Sequence, residues 1–287
     1  MKMIIRNIFI GLIVLLILAG VGICIFTGKA VFDGYTNAVS REETIKNSME
    51  FREDYEDLTK NYDLEKIEIE DKDLDHKVPA IYAKKSGNKN IAVLVHGMGG
   101  TKETISPIAK TFLDLGYDVV AYDQRNSHEN SADYNTFGVL EANDARAVIN
   151  HIKEKYPDGN LVLWGESMGA LTSLTAAGKD SSNIDYLILV RMGDWYSKVK
   201  LGYNFADMDG TTYMKKITVP TLITNSKTDT LTPPYMAEDL YKAKADDKKE
   251  LITVDNYNHA SFAYKDREGY KKIVKDFLEK YPGPNAD

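Results

Sequence analysis

Several features that carry chemistry in other proteins are scarce in this chain. Its 287 residues include one cysteine, Cys24. A lone thiol excludes an intramolecular disulfide. Because it sits inside an apolar run, cysteine catalysis and cysteine zinc sites are also excluded from the remainder of the chain. No basic run is long enough to form a nucleic-acid face, and the net charge of -7 points the same way. That mild acidity serves solubility. The run His96-Gly97-Met98-Gly99-Gly100 lacks both the helix-entry pattern and the Lys-Ser/Thr pair of a nucleotide-binding loop. Eight prolines and the absence of any low-complexity tract leave an ordinary globular composition, with 43% hydrophobic and 28% charged residues.

One long apolar run is present near the start. Ile8–Phe26 holds 19 residues without a charge. As a helix this just crosses a hydrocarbon core of about 30 Å. A secretory signal has a shorter apolar region and a small-residue cleavage site, and neither is found here. Val21-Gly22-Ile23-Cys24 faintly resembles a lipoprotein box, but the bulky Ile23 argues against it. The expectation is an uncleaved single-pass anchor over residues 1–28. Lys2 and Arg6 precede the run and Glu42 and Glu43 follow it. The positive-inside rule then places the N-terminus in the cytoplasm and the remaining chain outside the cell membrane. Residues 29–63 follow as an amphipathic linker. Ile45, Met49, Phe51, Tyr55 and Leu58 recur there at helical spacing, so Thr36 to Tyr62 reads as a helix that links membrane to domain or packs on the domain edge.

Residues 64–287 alternate strand and helix patterns. Glu65–Glu70 and Val78–Ala83 read as a leading antiparallel pair. Ile91–Val95, Val119–Tyr122, Leu161–Trp164, Tyr186–Val190, Thr221–Asn225 and Leu251–Val254 are short apolar runs, as expected of strands buried on both faces. Helical patterns fall between them, at Glu103–Leu115, Val139–Tyr156, Met168–Ala177, Glu238–Ala245 and Glu268–Glu279. This order implies an α/β domain with a mostly parallel sheet covered by helices on both faces. Residues 191–218 break the rhythm and read as a small cap insertion.

Parallel sheets hold ligands at the carboxyl ends of their strands. The residues found there are His96-Gly97-Met98-Gly99-Gly100, Asp123-Gln124-Arg125, Ser167, Lys227-Thr228-Asp229 and Tyr257-Asn258-His259. Ser167 lies in Gly165-Glu166-Ser167-Met168-Gly169, between a strand and a helix. A serine on such a turn is exposed at the top of a sheet, where it can attack a carbonyl. A nucleophile, an acid and a base thus converge in the order Ser, Asp, His.

On these residues the chain, from about Lys66 to Tyr281, resembles the α/β-hydrolase superfamily. It looks most like the serine esterase and aminopeptidase-like members, in a bacterial single-pass membrane-anchored form. The resemblance implies that Ser167 is the nucleophile, His259 the base and Asp229 the group that orients the histidine. It implies an oxyanion hole from the backbone N–H groups of Met98 and Met168, and it implies no metal or cofactor. His96 is expected to brace its loop, and His76, His128 and His151 to be structural or on the surface. Asp194 is a rival for the acid, whereas Asp255 lies too near His259 in sequence. Many relatives carry Asp-x-Arg-Gly-x-Gly-x-Ser after the fourth strand. Here that loop reads Asp123-Gln124-Arg125-Asn126-Ser127-His128-Glu129-Asn130, without the glycines.

The expected activity is hydrolysis of small or acyl-chain carboxylic esters or thioesters through an acyl-enzyme. The first alternative is a serine peptidase of the aminopeptidase-like type. That activity needs an acid for the substrate ammonium, with Glu166, Asp194 and Asp207 as candidates. A non-catalytic, membrane-tethered binding module is the remote alternative. The expected partners are a small ester or peptide substrate and the membrane. Substrate-contacting residues and oligomeric state stay open.

Overall fold

The computed structural model describes residues 2–190, 209–259 and 261–284. The chain forms two compact units, Met1–Ala38 and Val39–Asp287. The first is one helix, α1 (Lys2–Thr36), whose apolar stretch is fully exposed along its length. It is long and apolar enough to cross a membrane. It runs on past Phe26 because no proline interrupts it, and the Lys29–Asp33 pair at 2.7 Å bridges its next turn.

The second unit begins with α2 (Arg41–Ser48), a 3-10 turn (Met49–Phe51) and α3 (Arg52–Asn61). The single helix expected over Thr36–Tyr62 is therefore broken in two. Ser40 caps α2 by accepting the Glu43 N–H at 3.2 Å. At its far end the Ser48 hydroxyl turns back onto the Ile45 carbonyl at 2.8 Å, a competition with the helix ladder that favours a break. Leu58 of α3 is fully buried.

Eight strands follow: β1 (Asp63–Ile69), β2 (Val78–Lys84), β3 (Asn90–Val95), β4 (Tyr117–Tyr122), β5 (Leu161–Glu166), β6 (Tyr186–Val190), β7 (Thr221–Ser226) and β8 (Lys249–Val254). They lie in the order β1-β2-β4-β3-β5-β6-β7-β8. The pairs β1·β2 and β2·β4 are antiparallel, and the other pairs are parallel. The helices are α4 (Ser106–Asp114), α5 (Glu141–Lys155), α6 (Met168–Lys179), α7 (Gly210–Met214), α8 (Pro234–Ala243), α9 (Phe262–Lys265) and α10 (Arg267–Lys280). This is the mostly parallel, helix-covered sheet that the strand and helix patterns imply, in the α/β-hydrolase arrangement that the resemblance implies. The insertion expected at 191–218 lies outside the described residues as far as 208, and so do Asp194 and Asp207.

Alternate strand residues feed two cores. Ile91, Val93, Val95, Leu161, Leu163, Leu187 and Leu189 pack against α5, α6, α7 and α8. Their neighbours Ala92, Leu94, Val162, Trp164, Ile188 and Val190 face α3, α4, α9 and α10. A strand buried on both sides has no polar face, so its sequence reads as a continuous apolar run. Some buried polar side chains pair with one another across the cores. The Trp164 Nε1–H donates to the Tyr270 hydroxyl at 2.6 Å across the second core.

Beside the β1–β2 hairpin, His76 places Nε2 at 3.2 Å from the buried carboxylate of Asp144. The bond to Asp144 holds the ring's pKa above its ordinary value, against the desolvation that opposes it. A raised folded pKa contributes stability that is complete below the unfolded value of about 6.5 and is lost as pH rises through the folded one. His76→Gln should therefore lower the melting temperature more at pH 6 than at pH 8.5. An equal loss at both values would exclude a charged pair.

Candidate active site

Ser167 sits where β5 turns into α6. Its backbone has φ 51° and ψ -119°, and its N–H donates to the Val190 carbonyl of the neighbouring strand at 2.9 Å. A left-handed φ is unfavourable for a residue with a Cβ, and such strain persists only where the surroundings enforce it. Here they do, through the flanking glycines. A Cβ at Gly165 would overlap the Gly169 carbonyl and the Ser173 hydroxyl, and one at Gly169 would overlap the carbonyls of Val95 and His96. Helix α6 therefore lies directly on β3 and β5, and the turn between has no room to relax. Because backbone cannot retreat as a side chain can, Gly169→Ala is expected to destabilise the domain by about 3 kcal/mol or more. A melting temperature within a few degrees of the parent would refute this packing.

The groups expected at the strand ends meet. The Ser167 Oγ lies 2.9 Å from His259 Nε2, and His259 Nδ1 lies 2.9 Å from Asp229 Oδ2. With a carboxylate on Nδ1, that nitrogen carries the ring proton and leaves Nε2 to accept from the serine hydroxyl. Asp229 is buried and fully engaged. One oxygen accepts the N–H groups of Leu231 and Thr232, both at 2.9 Å, and the other accepts the Thr232 hydroxyl at 2.7 Å as well as the histidine. Burial alone would raise the Asp229 pKa. The bonds from Thr232 and His259 outweigh it and hold the carboxyl below its ordinary value. The hydroxyls of Ser226 and Thr228 both donate to the Tyr257 carbonyl, at 2.8 and 3.0 Å, which ties the acid loop to the histidine loop. Asp255 pairs instead with Lys227 on the surface, at 2.8 Å.

His96 is fully buried beneath the Gly97–Gly100 turn, and burial holds its ring below the ordinary imidazole range. Its Nε2 accepts the Gln124 N–H at 3.0 Å, so the proton sits on Nδ1 and is donated to the Gly97 carbonyl at 2.8 Å. The Gly100 N–H reaches the same carbonyl at 3.1 Å. Gly97 C=O and Met98 N–H belong to one planar peptide, so fixing the carbonyl fixes the direction of the N–H. The turn lies against the serine, since a Cβ on Gly97 would touch the Ser167 Cβ at 3.4 Å. Met168, the other expected donor, is the first residue of α6. The N–H groups of a helix's first turn carry the positive end of its dipole.

The loop that lacks the glycines of the hydrolase pattern is left-handed at the positions where that pattern has them. Asn126 and His128 stand at the two glycine positions, and both are left-handed, at φ 55° and 41°. Asn and His tolerate this region better than most residues. Below them a charge cluster locks the loop. Fully buried Lys102 bonds Asp123 at 2.5 Å, Glu129 at 2.8 Å and His128 at 3.2 Å. Among the described residues, Asp123, His128 and Glu129 are the group whose ligand atoms converge closely enough for a metal ion. The Lys102 ammonium already supplies the positive charge there, so the residues do not fit a metal. His151 is half-buried on α5.

A cleft of about 480 Å³ opens beside His259. Asn47, Phe51, Met98, Glu166, Tyr264 and Lys265 are among its lining residues. Glu166 accepts a hydrogen bond from the Tyr264 hydroxyl at 2.8 Å. Burial, and then the Glu166 charge, push the Tyr264 pKa far above its ordinary value, so the hydroxyl stays protonated. The contribution of α2 and the 3-10 turn to this cleft is not legible in the sequence. The apolar spacing of that segment announces packing but does not say against what. A larger hollow of about 750 Å³ lies at the opposite end of the sheet, against Tyr117, Asn160 and Tyr186 at the amino ends of strands.

Residues 86–191 match the model of the serine aminopeptidase (S33) family. The Bacillus subtilis protein YqkD is 28% identical over 218 residues, 66% of this chain and 71% of its own length. The Pyrococcus furiosus esterase Pf2001 superposes with a TM-score of 0.69 at 20% identity, over 79% of this chain and 95% of that one. Est1E of Butyrivibrio proteoclasticus, solved with ferulic acid bound, gives 0.62 at 17% identity, over 75% and 98%. The monoacylglycerol lipase of Paleococcus ferrophilus gives 0.59 at 16% identity, over 71% and 99%.

Proposed function

We propose that the chain, whose fold and partial family match are those of the α/β hydrolases, is a serine hydrolase acting through an acyl-enzyme on carboxylic esters or thioesters. The observation that carries the reading is the unbroken line of hydrogen bonds from Ser167 through His259 to Asp229, 2.9 Å at each step. In this reading His259 Nε2 removes the Ser167 proton as Oγ attacks the substrate carbonyl. Asp229 holds the ring in the needed tautomer and stabilises the imidazolium. The Met98 and Met168 N–H groups receive the developing oxyanion, each worth about 3–4 kcal/mol in such sites. His259 then protonates the departing alkoxide or thiolate, and a water activated by the same nitrogen releases the acid and restores Ser167.

This mechanism predicts a burst. With a p-nitrophenyl ester, nitrophenol should appear first in an amount equal to the enzyme and then more slowly, as acyl-enzyme hydrolysis becomes limiting. An inert protein, or one whose activity survives stoichiometric fluorophosphonate labelling, would sink the reading. An acyl-chain-length series then defines the substrate size. The match to the serine aminopeptidase model favours a second reading, hydrolysis of N-terminal aminoacyl bonds. Comparing aminoacyl-anilides with acyl esters separates the two, and faster turnover of the anilides would favour the peptidase.

Helix α1 supports a membrane-tethered enzyme with its N-terminus in the cytoplasm and the hydrolase unit outside. Protease added to intact cells should then cut the hydrolase unit away from the membrane fraction. Protection from protease would reverse the orientation, and a soluble form lacking α1 would mean a cleaved signal.

A further inference from the structure

The segment immediately after the apolar helix holds the active-site loops. Helix α2 meets both of them. The Asn47 side-chain Nδ2–H donates to the Gly99 carbonyl at 2.9 Å. Buried Thr44 accepts the His128 N–H at 3.0 Å, and Arg41 donates to the Ala132 carbonyl at 3.2 Å. The 3-10 turn adds Phe51, packed edge-on against Tyr264 with ring centres 5.8 Å apart. Asn47, Glu50 and Phe51 all line the cleft beside His259.

Asn47 acts on the turn that presents the Met98 N–H. Residues 97–100 close on the Gly100 N–H to Gly97 carbonyl bond, and Gly99 takes the left-handed conformation at φ 78°. Glycine is indifferent between the two hands, so its own backbone does not hold the turn in one form. The inner side of the turn is held by His96 at the Gly97 carbonyl. The outer side is held by Asn47 at the Gly99 carbonyl. The turn that carries the Met98 N–H is thus anchored at the Gly97 carbonyl by His96 and at the Gly99 carbonyl by Asn47.

We infer that Asn47, on the helix that follows the apolar segment in sequence, is a positioning residue that holds the oxyanion loop through the Gly99 carbonyl. The inference rests on the serine-hydrolase reading of the same site. It makes α2 part of the active site rather than a spacer. A donor that wanders loses electrostatic stabilisation of the transition state while ground-state binding is nearly unchanged.

The test uses the full-length protein in detergent with three variants. Asn47→Ala removes the donor. Asn47→Asp keeps the shape but turns a carboxylate oxygen toward the carbonyl. Asn47→Gln keeps a donor on a longer arm. Asn47→Ala and Asn47→Asp should lower kcat about tenfold with little change in KM, a fraction of the hundredfold or more seen when an oxyanion donor is deleted outright. Affinity for a boronic acid, whose tetrahedral oxygen occupies the hole, should fall by the same factor. Affinity for the product alcohol should not change, and Asn47→Gln should recover part of the loss. Wild-type kcat and boronate affinity in Asn47→Ala and Asn47→Asp would overturn the inference, whatever happens to the melting temperature. If Asn47→Ala fails to fold, the near-isosteric Asn47→Asp decides by the same measures. A wild-type protein that neither labels nor hydrolyses esters refutes the serine-hydrolase reading itself. An active wild type with unimpaired variants refutes only the role of Asn47.

Discussion

Replacing Ser167 with alanine should lower ester hydrolysis on the order of a million-fold and abolish fluorophosphonate labelling, the scale of loss known for serine nucleophiles. The fold should survive. Alanine keeps the Cβ that the left-handed turn already accommodates, and the Ser167 N–H bond to Val190 is a backbone bond. Its side chain caps nothing in α6, so no helix-start hydrogen bond is lost. The melting temperature should therefore stay close to the parent while turnover falls to background. Residual labelling of the alanine protein at the wild-type rate would mean that the nucleophile is another residue. Activity that persists without labelling would mean that no covalent intermediate forms.

The second large effect is expected at Asp229. Asp229→Asn should lower kcat about ten-thousand-fold, because a neutral amide no longer selects the histidine tautomer that accepts the serine proton. The surroundings of the carboxylate sharpen the effect. Each carboxylate oxygen faces donors: two backbone N–H groups on one, the Thr232 hydroxyl and the His259 ring on the other. An asparagine NH₂ in either orientation would face at least one of these donors. The double variant Ser167→Ala/Asp229→Asn should be no slower than Ser167→Ala alone, since the three groups act as a unit. Additive losses would show that Asp229 works independently of the serine.

The direction of the Asp229 shift also fixes a pH dependence. A depressed folded pKa contributes stability that is present above the unfolded value of about 3.9 and is lost as pH falls through the folded one. The carboxylate is thus ionised across the neutral and mildly acidic range, and Asp229 contributes no limb to the rate profile above about pH 4. The extra acid stability of the parent over Asp229→Asn should disappear only below that pH, as read from melting temperatures between pH 3 and 7. A difference that vanishes near pH 6 would contradict the bonding around the carboxylate.

Much of the site is legible in the chain before folding is considered. The apolar run Leu161–Trp164, the Gly-x-Ser-x-Gly turn and the helix formers that follow are contiguous, so local sterics already place Ser167 at a strand end. The apolar strands read correctly because each feeds two cores at once, as Leu163 and Trp164 do on opposite faces. The strand boundaries at 161–166 and 249–254 extend beyond the apolar runs, because ladder pairing carries Glu166 and Lys249 with it.

Other features depend on residues far apart in sequence. Which carboxylate approaches His259 cannot be read from spacing: Asp255 is four residues away yet pairs with Lys227, while Asp229 is thirty away and bonds the ring. The loop 123–130 lacks the glycines of the pattern it resembles, and its left-handed turns at Asn126 and His128 are held by buried Lys102 and by Thr44 of a distant helix. Asn47 lies 52 positions from the carbonyl it holds.

The sequence by itself determined the fold class, the strand-end positions of Ser167, Asp229 and His259, and the apolar helix. Each of these follows from periodicity or from steric demands within a few residues. Only the tertiary structure decided which acid meets the histidine, that no metal fits beside Lys102, and that α2 bonds the Gly99 carbonyl. Those outcomes depend on hydrogen bonds and charges brought together across the sheet edge, where distance along the chain carries no information about distance in space.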